Sequence, residues 1–220
     1  MLVIENIKVI GFDLDQTLYP KSPEIDEEIQ KYIYQQIAEK RSCSIEEAKR
    51  LFKSYYPRLT GSKALVELGF ELERARNIVQ EALESADIVR FLKPNPKIIK
   101  LLEELKEKYS LSLITSSPKK TAMDKLNKLN ISIELFDFIS CGEFPKSDGI
   151  AYKNWFEYFK KKDPFLKPEN FLYVGDRKSS DVDIPLSLGM KAVLVNVDKK
   201  DLKIDVPQFN SILEIRKILL

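Results

Sequence analysis

Residues 7–19 read IKVIGFDLDQTLY, an apolar run followed at once by two acidic residues, Asp13 and Asp15. The run at 7–12 has the length and the Val and Ile content of a strand buried on both faces. Polar residues directly after a strand of a parallel sheet lie at its carboxyl edge, where open sheets bind ligands. The stretch therefore predicts a buried strand that presents two carboxylates at a binding edge.

Four more apolar runs share this composition, and helical patterns separate them. They lie at residues 111–114, 138–141, 171–174 and 192–195. Between the first two of these, Ala122, Leu126 and Leu129 recur after Pro118 at the spacing of one helix face. Because helices between strands make right-handed crossovers, the sequence predicts an α/β fold with a doubly wound parallel sheet.

The gap after the first run is exceptional, since it holds roughly 90 residues, several times what one crossover helix needs. Within it, Ile25, Ile29 and Ile33 repeat at every fourth position, which is typical of a helix. Prolines mark both edges of the gap. We therefore expect a helical subdomain over residues 20–92, inserted into a core made of residues 1–19 and 93–220.

The composition of the 220 residues limits the partners and the types of catalysis that can be expected. A formal charge of +2, from 36 basic and 34 acidic residues, does not predict a nucleic-acid partner. The absence of histidine excludes Ser-His-Asp and Cys-His catalysis and histidine-ligated zinc. Two distant cysteines without a secretory leader, and no apolar run near the ~20 residues of a membrane helix, predict a soluble cytoplasmic protein with no membrane contact.

Polar side chains also follow the later strands of the predicted sheet. The residues at these strand ends are Thr115, Ser116, Lys146, Asp176 and Asp181. If the strands are parallel, all of them meet at the edge that carries Asp13 and Asp15. The sequence therefore predicts an anionic pocket with a lysine beside it.

Like charges so close together raise a pKa or push a side chain away unless a cation intervenes. Oxygen ligands without His or Cys favour Mg²⁺, which often shares its coordination sphere with a substrate phosphate. The candidate metal residues from this argument are Asp13, Asp15 and Asp176. Phosphoryl chemistry is the natural use of such a site.

Other interpretations of these residues remain open. Asp13 and Asp15 also fit a turn with capping aspartates, Thr115 fits a helix N-cap, and Lys146 fits a surface lysine. An EF-hand calcium loop beginning at Asp13 would need a glycine where Leu18 stands and a helix before it. Leu18 and the strand predicted before Asp13 therefore disfavour the EF-hand.

The chain resembles the haloacid dehalogenase superfamily of phosphotransferases through four motifs in the right order. The first, DLDQTLY at residues 13–19, resembles DxDxT, and the second, LIT at 113–115, resembles an apolar strand ending in Thr or Ser. A helical insertion after the first motif is similar to the small-cap subgroup of that superfamily. The resemblance spans nearly the whole chain and implies an α/β core with an α-helical cap.

The third and fourth motifs carry the resemblance through the second half of the chain. KSDG at 146–149 with Tyr152 resembles a Lys-Pro-Asp-Pro motif followed by an aromatic residue. VGD at 174–176 with Asp181 and Gly189 resembles GDxxxxD with a downstream glycine.

Three positions depart from the superfamily pattern. Ser147 and Gly149 replace the usual prolines, and Ser116 stands where Asn is common. No charged group is lost, but Lys153 becomes an alternative to Lys146 as the lysine of the third motif.

The resemblance implies a role for each motif residue. Asp13 would be the nucleophile that forms an aspartyl-phosphate, and Asp15 would protonate the leaving group and then activate water, which requires a raised pKa. Mg²⁺ would be held by Asp13, the Asp15 backbone carbonyl and Asp176, with Asp181 binding it directly or orienting its water. The implied phosphate-binding residues are Thr115, Ser116 and Lys146.

The implied reaction is the hydrolysis of a small phosphorylated metabolite by a monomer or homodimer. The segment around Tyr55, Tyr56 and Arg58 looks somewhat like the pyrimidine 5′-nucleotidase branch, which suggests a nucleoside monophosphate. The same tyrosines also fit the core of the insertion. Alternatives are a phosphomutase, a 2-haloacid dehalogenase, which lacks an acid at the position of Asp15, and a noncatalytic phosphate-sensing module.

Overall fold

The computed structural model describes residues 4–20, 22–56, 59, 61–144, 146–197 and 205–220. The chain forms two compact units, Met1–Lys21 with Leu92–Leu220, and Ser22–Phe91. The first unit contains a sheet, and the second consists of helices. Within the described ranges, no helix is long and apolar enough to cross a lipid bilayer.

The sheet of the first unit has five parallel strands. They are β1 (Val9–Phe12), β2 (Ser110–Thr115), β3 (Phe138–Cys141), β4 (Phe171–Gly175) and β5 (Lys191–Leu194). Their order is β3-β2-β1-β4-β5, and Phe12 of the central strand lies beside Leu113 and Val174. The carboxyl ends of β1, β2 and β4 therefore lie at the same edge of the sheet, and the predicted doubly wound parallel sheet is confirmed.

The helical unit contains α1 (Pro23–Arg41), α2 (Ile45–Tyr55), α3 (Gly61–Glu67), α4 (Leu72–Ser85) and a 3-10 turn at Val89–Phe91. Helix α1 begins after Ser22, whose Oγ accepts a hydrogen bond from the Ile25 nitrogen. The unit has its own apolar core, in which Ile33, Ile37 and Phe52 are buried. The repeating Ile25, Ile29 and Ile33 of the sequence lie on α1 of this unit.

The helices of the first unit are α5 (Pro96–Lys106), α6 (Lys119–Lys128), α7 (Ile150–Lys162), α8 (Asp183–Ser187) and α9 (Arg216–Leu219). Shorter 3-10 turns lie at Ile133–Leu135, Pro168–Asn170 and Ile212–Ile215, and a π-helical turn lies at Lys178–Val182. The π-helical turn begins three residues after the last residue of β4 and contains Asp181 of the fourth motif.

Aromatic side chains pack against β1 close to the edge of the sheet that is predicted to bind a ligand. Trp155 donates from Nε1 to Ser112 Oγ at 2.8 Å and meets Tyr173 edge to face. A Cβ on Gly11 would lie only 2.9 Å from both of these rings, so the close approach requires glycine. This packing fixes the position of the Tyr173 side chain, whose hydroxyl contacts Lys146.

Candidate active site

The backbone around Asp13 continues the sheet beyond β1. The Asp13 nitrogen donates to the Val174 carbonyl at 2.9 Å. The next turn is held by hydrogen bonds from the nitrogens of Thr17 and Leu18 to the carbonyl of Leu14. These backbone contacts fix the positions of Asp13 and Asp15 at the edge of the sheet.

Lys146 joins two of the predicted carboxylates. Its Nζ lies 2.8 Å from Asp13 Oδ1 and 2.8 Å from Asp181 Oδ1. Lys146 is 6% exposed, Asp13 is 5% exposed and Asp181 is wholly buried, so a single ammonium offsets part of the charge of two carboxylates away from water. The ammonium also donates to the Tyr173 hydroxyl at 3.3 Å, and that hydroxyl donates to the Ile114 carbonyl at 2.6 Å. The alternative Lys153 is exposed on α7.

Three carboxylates form a potential cation site. Asp13, Asp176 and Asp181 each offer an oxygen within 4.8 Å of the others. Asp181 is held from both sides, because its Oδ2 accepts from the Arg177 nitrogen and its Oδ1 accepts from Ser180 Oγ. A Cβ at Gly175 would collide with the Asp181 side chain, which accounts for glycine there. An all-oxygen set of this kind suits a hard divalent cation.

The Asp15 side chain has a different set of partners. Its Oδ1 accepts hydrogen bonds from Lys125 Nζ and from the Tyr19 hydroxyl, both at 2.5 Å. Its Oδ2 accepts one from Ser117 Oγ at 2.6 Å and a long one from Thr115 Oγ1 at 3.4 Å. The carboxylate is thus surrounded by donors, and the contacts stabilise its ionised form.

The two aspartates differ in their acidity. Burial raises the pKa of Asp13 to about 7, and Lys146 opposes this while Asp181 and Asp15 add to it. Burial would also raise the pKa of Asp15, but the Lys125 charge and hydrogen bonds from Lys125, Ser117 and Tyr19 hold it below its ordinary value. The predicted rise in the pKa of Asp15 is therefore wrong, because Lys125, which the strand pattern of the sequence did not place beside Asp15, stabilises the ionised carboxylate.

The residues of the second motif lie at the same edge. Thr115 is buried at the end of β2, and its Oγ1 accepts from the Ser117 nitrogen at 3.1 Å. Ser116 between them is exposed. The structure thus brings Thr115 to Asp15, while Ser116 faces solvent.

The predicted specificity residues belong to the helical unit. Tyr55 is partly buried and packs on the core of that unit, and Tyr56 stacks on Phe52 with ring centroids 5.0 Å apart. Both rings therefore take part in the packing of the unit. Arg58 lies outside the described residues.

Lys125 and Ser117 were not among the site residues predicted from the sequence. Lys125 is a buried cation on α6, and Ser117 links it to Asp15, with 2.8 Å between Lys125 Nζ and Ser117 Oγ. A signal was present, since Lys125 lies on the apolar stripe of Ala122 and Leu126, where a lysine is unusual. A charged residue in such a stripe predicts a buried partner.

Comparison with known proteins identifies the family. A family model described as haloacid dehalogenase-like hydrolase matches residues 10–195, so the chain belongs to this family. The predicted class of enzyme, a hydrolase, is confirmed.

Individual relatives cover most of the chain. It is 30% identical over 210 residues to a glyceraldehyde 3-phosphate phosphatase of Methanocaldococcus jannaschii, with 90% of each chain covered. A crystal structure of a haloacid dehalogenase-type phosphatase from Thermococcus onnurineus matches at 25% identity and a TM-score of 0.61, covering 97% of this chain and 98% of that one. A hydrolase of the haloacid dehalogenase-like family from Streptococcus pneumoniae matches at 20% identity and a TM-score of 0.67, covering 96% and 98%, which supports the fold alone.

Proposed function

We propose that this hydrolase is a Mg²⁺-dependent phosphatase that cleaves a small phosphomonoester through an aspartyl-phosphate on Asp13. The observation that carries the proposal is the position of Asp13 at the end of the central strand, with the Lys146 ammonium 2.8 Å from its Oδ1. A carboxylate approaches a phosphate dianion only where positive charge offsets the repulsion between them. Lys146 provides such charge at the proposed nucleophile.

The proposed reaction has two half-reactions. In the first, an Asp13 oxygen forms a bond to phosphorus, the bond to the leaving oxygen breaks, and protonated Asp15 gives its proton to the leaving alkoxide. In the second, ionised Asp15 takes a proton from water, the water oxygen forms a bond to phosphorus, and the bond between phosphorus and the Asp13 oxygen breaks, which releases inorganic phosphate and the free Asp13 carboxylate. Donors around Asp15 favour the ionised form required for the second half-reaction. The first half-reaction therefore requires that Asp15 take up a proton when the substrate binds, and the negative charge of the phosphate favours this because it raises the pKa of a neighbouring carboxyl.

The donor set fits Mg²⁺. The carboxylates of Asp13 and Asp176 and the backbone carbonyl of Asp15 would hold the ion, which when bound neutralises charge on the nucleophile and the phosphate. Both oxygens of Asp181 already accept hydrogen bonds from the protein, so its proposed role at the ion is to orient metal-bound water, while it also positions Lys146 and the loop after β4. Thr115 and Lys146 are the proposed phosphate-binding side chains, and exposed Ser116 is proposed to contribute from the solvent side.

The proposed substrate class is a small phosphomonoester. Asp15 favours a phosphatase over a dehalogenase, because a halide leaves without a proton while an alkoxide requires one. A relative named glyceraldehyde 3-phosphate phosphatase supports a triose phosphate. The resemblance to pyrimidine 5′-nucleotidases supports a nucleoside monophosphate, with Tyr55, Tyr56 and Arg58 as proposed contacts.

The test is phosphate release by purified protein from p-nitrophenyl phosphate, glyceraldehyde 3-phosphate and nucleoside monophosphates, with and without Mg²⁺. We expect turnover with Mg²⁺ that chelation abolishes, and no turnover by Asp13→Asn. Transfer of the phosphoryl group to a sugar without phosphate release would indicate a phosphomutase. Turnover by Asp13→Asn at the wild-type rate would refute the assigned nucleophile.

A further inference from the structure

Lys125 is a second buried lysine at the candidate site, separate from the lysine of the third motif. We propose that it is a positioning residue for Asp15, and that it fixes the carboxylate from which a proton is delivered and to which one is returned. This proposal rests on the proposed phosphatase function, since it assigns Asp15 to acid and base catalysis.

Contacts to both oxygens of Asp15 carry the inference. The Lys125 ammonium lies 2.5 Å from Oδ1, and it also donates at 2.8 Å to Ser117 Oγ. Ser117 in turn donates to Oδ2 at 2.6 Å. Because one lysine holds one oxygen directly and the other through a serine, rotation of the carboxylate about its bond to Cβ is restrained from two sides.

The location of Lys125 argues against an ordinary surface role. Its side chain is 4% exposed, whereas Lys128, one turn further along the helix, is exposed. An ammonium loses hydration when it is buried, and an apolar residue in the stripe with Ala122 and Leu126 would avoid that loss. A charge retained at this position is explained by its anionic partner at the proposed catalytic centre.

The arrangement gives each proposed catalytic aspartate its own ammonium. Lys146 contacts Asp13, and Lys125 contacts Asp15. Without Lys125, Oδ1 of Asp15 would lose one of its two donors, and Ser117 would lose the ammonium that donates to its hydroxyl. The expected result is an Asp15 side chain that is poorly placed to reach the leaving oxygen, while Asp13 keeps its own contacts.

The test compares two substrates that differ in their need for a proton. Phenyl phosphate releases a more basic oxygen than p-nitrophenyl phosphate, so its cleavage depends more on a placed acid. In Lys125→Met, we expect kcat/KM for phenyl phosphate to fall about tenfold more than kcat/KM for p-nitrophenyl phosphate. The exposed Lys128→Met on the same helix is the matched control and should leave both values unchanged.

A double-mutant cycle separates positioning from a general loss of structure. If Lys125 acts through Asp15, adding Lys125→Met to Asp15→Asn should change kcat/KM by less than about twofold. Independent, multiplicative losses in the double variant would overturn the proposal. Equal falls with both substrates in Lys125→Met would also overturn it.

Folding is checked by thermal unfolding of every variant. Should Lys125→Met alone fail to fold, Ser117→Ala keeps the ion pair, removes one hydrogen bond to Asp15, and should shift the substrate ratio in the same direction. An unchanged ratio in Ser117→Ala would then overturn the proposal.

Failure of this inference can be told apart from failure of the proposed function. If the wild type has phosphatase activity that Asp13→Asn abolishes, but Lys125→Met behaves like Lys128→Met, the Lys125 assignment alone is refuted. A wild type that releases no phosphate from any substrate would refute the proposed function and this inference with it.

Discussion

The Nζ of Lys146 lies 2.8 Å from Asp13 Oδ1, and both side chains are almost completely buried. Burial removes the hydration of both groups, so each charge depends on the other. The pKa of Lys146 is raised despite burial, which by itself would lower it, because Asp13 and Asp181 favour the charged ammonium. The Lys146–Asp13 ion pair therefore matters both for the stability of this edge of the sheet and for the proposed phosphoryl transfer to Asp13.

Replacing Lys146 with methionine should therefore affect both stability and activity. Removing one partner of a buried pair leaves uncompensated charge, which costs about 3–5 kcal/mol in free energy of unfolding. Loss of a fixed charge at the phosphate should also lower kcat by roughly 10²–10³-fold. Denaturant titration and phosphate release measure the two effects. Lys153→Met on the exposed face of α7 is the control, and a loss in that variant equal to the loss in Lys146→Met would contradict the assignment.

Binding of Mg²⁺ to the metal-free protein should depend on pH through Asp13. With a pKa of about 7, the Asp13 carboxyl is largely protonated below neutrality, and a bound cation must displace that proton. Affinity for Mg²⁺ should accordingly rise from roughly pH 6 to pH 8 and then level off. Calorimetric titration measures this. Asp13→Asn, which has no proton to displace, should bind weakly without the same rise, and a flat profile in the wild type would contradict the prediction.

The glycine of the fourth motif should not tolerate a methyl group. A Cβ at Gly175 would collide with the side chain of Asp181, whose position depends on Lys146 and on the Arg177 nitrogen. Gly175→Ala should lower the free energy of unfolding by about 1–3 kcal/mol, the usual range for overpacking, and should weaken Mg²⁺ binding. Thermal unfolding with and without Mg²⁺ tests both effects. A variant with wild-type melting and metal response would show that the loop after β4 rearranges freely.

The helical unit should lose stability when its central aromatic residue is truncated. Phe52 is wholly buried, meets Tyr34 edge to face and stacks with Tyr56. Phe52→Ala should lower the free energy of unfolding of this unit by about 3–5 kcal/mol. Hydrogen exchange of α1 and α2 amides reports on this unit specifically. Leu72→Ala, at a residue 48% exposed, should change little, and equal effects of the two substitutions would contradict the described core.

The fold could be predicted because its determinants are local in sequence. The apolar runs that became β1 to β5 are short and rich in branched residues, and their ends were misplaced by two residues at most, as at β1, which begins at Val9. The group of Asp13, Asp176 and Asp181 followed from one topological rule, that the carboxyl ends of parallel strands share an edge.

The partners of Asp15 could not be predicted in the same way. Lys125 comes from the middle of α6, and helix rotation, which strand ends do not reveal, decides whether it points to the sheet or to solvent. Its place among Ala122 and Leu126 was the only local sign. Consequently the pKa of Asp15 was predicted with the wrong sign, although its position at the edge was predicted correctly.

The claim that Asp13 accepts the phosphoryl group is tested most directly by trapping the adduct. The protein with Mg²⁺ and phenyl phosphate is quenched in acid during turnover, and its peptides are analysed by mass spectrometry. We predict the added mass of one phosphoryl group on the peptide that contains Asp13, lost when the adduct is treated with hydroxylamine. A phosphoryl group on any other side chain, or turnover that continues in Asp13→Asn, would contradict the mechanism.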